Sequence, residues 1–278
     1  MITTRIITTD AELDALEAPW NALADGEPLR SWDWLATWWK HYANEGDREL
    51  YIIAVDSDDD LIGIAPWYIE RNIKKGRAIR FLGDGHVCTD HLSLVCRPDD
   101  VEHVAAAVAD ELVANDDWDR IELEAVDAND DAIGQLMQAL RDRECLVSSH
   151  HASNYWLVDL PGSWDEYLKL VSQSHRRQLK KCQRNVVDTQ RAKLHVVKQH
   201  DALEEAWAIL VDLHQRRRQS LGEPGCFASQ AFHDFHREMV ELLFAKGQLR
   251  LSWVEFDGTP FAAEYHLAGR HTVYTYQS

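Results

Sequence analysis

Basic residues are scarce in this chain. Its 278 residues hold 29 Lys and Arg against 47 Asp and Glu, a net charge of −18. A surface that negative repels a phosphate backbone, so the composition argues against a general nucleic-acid binder. Cysteine is scarce as well: Cys88, Cys96, Cys145, Cys182 and Cys226 are odd in number and form no Cys-x-x-Cys pair. In a chain this long that points to reduced thiols and a cytoplasmic setting. No apolar run approaches a membrane span, and the start MITTRIITTDAELDALE lacks the charged-then-apolar order of a signal peptide. No Ser-His-Asp or Cys-His spacing is visible.

What the chain does have is a pattern that occurs twice. Leu249 to Glu255 alternates, Asp257-Gly258 marks a tight reversal, and Thr259 to Leu267 returns. Glu49 to Asp56 and Leu61 to Glu70 do the same around Ser57-Asp58-Asp59-Asp60. A Ser-capped aromatic helix precedes each hairpin, opened by Ser31 and by Ser229. Ser31 and Leu50 are 19 residues apart, Ser229 and Leu249 are 20. Two copies of one α/β module in tandem are the expectation, 1–158 and 159–278.

In the first copy the residues predict a strand at 3–9 and a helix capped by Asp10 that runs to about Ala24. After the aromatic helix and hairpin come strands at 78–82 and 91–95, and a helix opened by Pro98 and Asp99. Val101, Val104, Ala105, Val108 and Leu112 share one face of that helix. Strand 118–125, helix 130–143 and a closing strand 145–158 complete the copy. Ser163 then caps a short helix. Charge is uneven along the chain: residues 1–170 carry 14 basic and 35 acidic side chains, residues 171–220 carry 11 and 5. Arg176, Arg177, Lys180, Lys181 and Arg184 make one helical face, either a solvated surface or a dock for an anionic ligand.

Strand, two helices, meander, helix, strand, helix, strand is the element order of the GNAT acyltransferase fold. The stretches SHRRQLKKCQRNV, DLHQRRR, GQLRLSWVEFDGTPFAAEYHL and a Tyr-x-Tyr strand extend the likeness. So do LIGIAPWYIE, RFLGDGHVCTDHLSL and SWDWLATWWKHY in the first half. Together they resemble the GNAT-fold acetyltransferases grouped with CelD-like cellulose-biosynthesis proteins, distant relatives of the Fem peptidyltransferases, which also carry two GNAT modules. The resemblance covers nearly the whole chain. It implies an α/β fold and acyl transfer from acetyl-CoA or another acyl-CoA to an amine or hydroxyl. The partner it implies is a small-molecule or sugar acceptor in exopolysaccharide-related chemistry. A Fem-like transferase using charged tRNA, with helix 175–193 holding the RNA, and a catalytically silent scaffold are the alternatives.

Candidate residues follow from placement. Glu264 sits on a central strand, where an unpaired carboxylate is costly, so it meets a partner such as a core arginine or lines a cleft as a general base. His266 alternates onto the same face, a substrate contact if it is not structural. Tyr274 reads as a core aromatic. Tyr276 is either that or a phenolic acid over the acyl group. In the resemblance Thr89-Asp90-His91 faces the cleft between modules, which makes Asp90 a substrate contact, expected to approach Glu264. His86, Cys88, Asp90 and His91 have the types of metal ligands but the spacing of no standard zinc site, so no metal is expected.

The pyrophosphate loop of a GNAT module falls before its third helix. In the first copy that place is Cys96-Arg97-Pro98-Asp99-Asp100, without glycine and with two carboxylates where phosphates would sit, so no CoA site is expected there. In the second copy the loop would follow Ser278. The register of the repeat therefore predicts that this module runs on beyond the chain, leaving strand 271–276 an open edge prone to self-association.

Overall fold

Side chains that accept a free backbone N–H decide where several helices start. In the computed structural model, which describes residues 1–278, β1 (Ile2–Ile7) leads into a capping box. Thr9 accepts from the Glu12 backbone N–H, and Glu12 accepts the Thr9 backbone N–H at 3.1 Å. Thr9 rather than Asp10 is the cap. The single helix expected to Ala24 is two, α1 (Asp10–Asp14) and α2 (Glu17–Leu23). Asp10 instead accepts the Trp39 indole N–H at 3.0 Å. Ser31 caps α3 (Trp32–Tyr42) through the Trp34 N–H, as expected.

The first hairpin bends between two sheets. β2 (Arg48–Leu50) and β3 (Ile52–Ser57) are one extended stretch broken at Tyr51. Their return, β4 (Asp60–Ala65) and β5 (Trp67–Asn72), breaks at Pro66, which has no N–H to give a ladder. β6 (Gly76–Phe81), β7 (Val95–Cys96), α4 (Val101–Ala114), β8 (Arg120–Ile121) and α5 (Asp131–Asp142) follow. The sheet orders are β1-β3-β4-β7 and β2-β5-β6-β8. Every pairing is antiparallel except β6 with β8. The apolar stripe of α4 is buried as its spacing predicts. The helix lies hard against β4 at Gly63, where an added Cβ would stand 2.5 Å from both Val104 methyls.

Three expected strands shrink. Residues 91–95 pair only at Val95–Cys96, 118–125 only at Arg120–Ile121, and 145–158 not at all. Alternation supplies a strand's side chains, but the strand itself exists only where a neighbouring edge takes its hydrogen bonds. Without one, Trp156 is 94% exposed.

The chain continues through α6 (Trp164–Leu170), α7 (Gln173–Cys182), a π turn at Gln183–Val187, β9 (Ala192–Val196) and α8 (Leu203–Ser220). It ends with α9 (Gln230–Ala245), β10 (Leu249–Phe256), β11 (Thr259–Ala268) and β12 (Val273–Gln277). Ser163 and Ser229 cap α6 and α9. The third sheet has the order β12-β11-β10-β9. β9 runs antiparallel to β10, from Ala192 opposite Phe256 to Val196 opposite Ser252. β1 meets β3 in the same way, from Ile2 opposite Ser57 to Ile7 opposite Ile52. In both cases the outer strand starts opposite the residue just before the hairpin turn. Both turns use two left-handed residues: Asp58 and Asp59 at φ 49° and 73°, Asp257 and Gly258 at 50° and 83°.

The chain forms two compact units, each drawn from separate stretches. Unit 1 holds Met1–Val147, Pro224–Leu249 and Leu267–Tyr274. Unit 2 holds Ser148–Glu223, Arg250–His266 and Thr275–Ser278. A unit collects what packs together, whereas the division at 158/159 collects what repeats, and the two do not coincide. In unit 1, α9 lies on α3. Trp34 meets Phe235 edge-on at 5.0 Å, and Phe235, Met239 and Val240 are completely buried. Lys40 and His41 reach Glu238 at 2.8 and 2.9 Å, and Lys246 pairs with Asp33. The apolar seam dominates: each buried side chain contributes about 1.5–3 kcal/mol, a half-exposed ion pair about 0–1. In unit 2 the core is Leu203, Trp207, Leu210, Leu251 and Tyr265, with Trp207 against Tyr265 at 6.4 Å. All five cysteines are free. No helix is long and apolar enough to cross a membrane.

Candidate functional site

The alternation of β11 buries Ala263, Tyr265 and Leu267 and turns Glu264 and His266 to the other face. His266 Nε2 lies 3.3 Å from Glu264 Oε2, close enough for an ion pair though outside hydrogen-bond geometry. The Glu264 side chain is 57% exposed, so water, not a core arginine, meets the cost of its position. Tyr276 packs its ring edge-on against Tyr265 at 5.5 Å and is half-buried. Burial alone drives the Tyr265 phenol far above its ordinary range. Glu264, His266 and Tyr276 all belong to unit 2, and Asp90 to unit 1.

Asp90 sits on a loop of unusual backbone. Gly83, Gly85, Cys88 and His91 all have positive φ. Gly83 has a reason for lacking a side chain, since a Cβ there would come within 2.8 Å of Leu35. Asp84 anchors the loop, accepting from Arg80 Nε at 2.6 Å and from the Tyr68 hydroxyl at 2.9 Å. Burial pushes the Asp84 carboxyl up, with the Arg80 guanidinium opposing it. The three residues of interest then point to different places. Thr89 is buried and accepts the Trp34 indole N–H at 2.9 Å, Asp90 is exposed, and His91 borders a cavity. No group of three or more His, Cys, Asp or Glu side chains could hold a metal ion.

That cavity, of about 210 Å³, lies within unit 1 and is lined by Glu27, Leu29, Arg30, His91 and Tyr274. Tyr274 is therefore not the core aromatic its alternation suggested. Its hydroxyl donates to Glu27 Oε2 at 2.6 Å. Burial first, then the bond to Glu27, raise the phenol well above its usual range, so it stays a neutral donor. Gly269 leaves room for Glu27, since a Cβ there would stand 2.7 and 2.9 Å from its two carboxylate oxygens. Arg30 donates from Nε to the His91 carbonyl at 2.8 Å and from Nη2 to Asp130 at 2.9 Å. Asp130 also accepts from the Ser93 hydroxyl and caps α5. The His91 ring is 5.7 Å from that of Tyr274, and its Nδ1 is 3.8 Å from Asp127. Glu27 and Arg30 carry no local signal of a role. They come from a loop between two helices and meet residues 91 and 274 only in the folded chain.

The basic helix face is partly structural. Arg176 donates to the Lys169 and Val171 carbonyls at the end of α6, while Arg177, Lys180, Lys181 and Arg184 are exposed.

Comparison with known families supplies the chemical class. Residues 173–278 match the family model described as an acetyltransferase (GNAT) domain, a stretch that contains α7 to α9 and β9 to β12. The match supports acyl transfer as the general chemistry, with acetyl-CoA as the donor such domains generally use. No curated protein matches the chain.

Proposed function

We propose that this protein transfers an acyl group from acetyl-CoA or another acyl-CoA to an amine or hydroxyl of a small molecule or sugar, in exopolysaccharide-related chemistry of the CelD-like kind. The observation that carries this reading is the GNAT-domain match over residues 173–278. The tandem arrangement is supported by the shared register of β1 with β3 and of β9 with β10, and by the shared turn geometry. In the first copy Asp99 and Asp100 lead straight into α4, and two carboxylates there make a poor place for a pyrophosphate. Bound acetyl-CoA supplies an activated thioester. Glu264, exposed and reachable, accepts the acceptor's proton, His266 orients it, and the Tyr276 phenol offers a proton to the leaving thiolate.

Release of free thiol from acetyl-CoA in the presence of sugar and amine acceptors tests the activity. Glu264→Gln should lower kcat by about 100-fold or more with an unchanged melting curve, the range of a lost general base. Full turnover and an unaltered pH profile would remove Glu264 from the mechanism. A second reading, tRNA-dependent aminoacyl transfer, is favoured by the exposed cations of α7. It requires tRNA binding that weakens steeply with salt.

A further inference from the structure

The Glu27 cavity has a composition that selects a ligand class. Two aromatic faces, Tyr274 and His91, adjoin it with centroids 5.7 Å apart. A carboxylate, Glu27, stands beside them, held by the Tyr274 hydroxyl in the room that Gly269 leaves. Arg30 in the lining is paired with Asp130 at 2.9 Å, and His91 Nδ1 stands 3.8 Å from Asp127. With Arg30 paired to Asp130, Glu27 is left as the carboxylate of the lining. An anionic ligand is repelled from it. A positive charge gains from the Glu27 carboxylate and from the adjoining aromatic ring together. At about 210 Å³ the space equals about seven waters, enough for a small organic cation.

We propose that this cavity is a binding site for a small alkylammonium group, seated against Glu27 and beside the Tyr274 ring. The site uses none of Glu264, His266, Tyr276 or Asp90, and its Tyr274 shares β12 with Tyr276.

The test is ligand-observed NMR titration of the full chain with choline and with dimethylbutanol, its neutral carbon isostere. Choline keeps its charge at every pH, so protonation of the probe plays no part. Choline should bind at least about tenfold more tightly than the isostere, the size of one charge-assisted contact. Glu27→Gln keeps an acceptor for the Tyr274 hydroxyl but removes the charge, and should cost about the same factor. Tyr274→Leu should also weaken choline, while Tyr274→Phe, which keeps the ring and leaves Glu27 charged, should not. Asp25→Asn, whose carboxylate pairs with Arg270 at the surface, is the control. Two variants with independent reasons to fail protect against one misfolding. Equal binding of the two probes, no binding of either, or choline binding that survives both Glu27→Gln and Tyr274→Leu would overturn the proposal.

Discussion

His236 shows how much one residue's environment can decide. It is fully buried, with ring centroids of Phe232, Phe235 and Trp34 at 4.3, 4.8 and 5.8 Å. Burial holds its imidazole well below the ordinary 6.5. In the unfolded chain it titrates normally. Below that value the unfolded state takes up a proton that the folded state refuses, so the stability is fully present above 6.5 and lost as the pH falls. The loss is about 1.4 kcal/mol per pH unit. Urea unfolding at about pH 7.5 and about pH 5.5 should therefore show a pH-dependent component that His236→Phe removes. Equal pH dependence in the two proteins would mean that the folded state does protonate His236.

Among the elements, the contact of α4 with β4 is the tightest to predict from. Gly63 has an ordinary backbone conformation, so alanine is barred there only by space. Its Cβ would stand 2.5 Å from both Val104 methyls, and valine's branched side chain has little freedom on a helix to move aside. Gly63→Ala should lower the unfolding free energy by about 1–3 kcal/mol, the usual cost of overpacking. Val104→Ala opens the space that the new methyl needs. The double variant should then be less destabilised than the two single changes added together, a coupling that denaturant titration resolves. Strict additivity would show that β4 and α4 separate freely.

For the molecule as a whole, the discontinuity of unit 1 matters most. Its core includes α9, which enters from residues 224–249. Phe235, Met239, Val240 and Leu243 are all buried. Their burial is worth on the order of 10 kcal/mol at most, comparable with the whole stability of an ordinary domain. Residues 1–147 expressed alone should lack a cooperative melt, bind a hydrophobic dye and show a solvent-exposed Trp34 by fluorescence. A cooperative monomer of 1–147 would show that α9 is an accessory and not part of that core.

The sequence by itself determined what depends on near neighbours. Ser31, Ser163 and Ser229 cap their helices because a hydroxyl needs only the N–H three residues on. The two hairpins turn at 58–59 and 257–258, and α4 buries its stripe, for equally local reasons. Glu264 and His266 share a face because a strand's period is two. Only the tertiary structure decided the rest. Whether 145–158 becomes a strand depends on an edge elsewhere, and α9 joins unit 1 because Trp34 offers it an aromatic seam. The cavity is the clearest case. Glu27, His91 and Tyr274 are far apart in the chain, and Tyr274 faces a carboxylate rather than the core because the turn at Gly269 leaves room for one. Patterns of a few residues encode elements, but a site is made by long-range packing, which no local pattern contains.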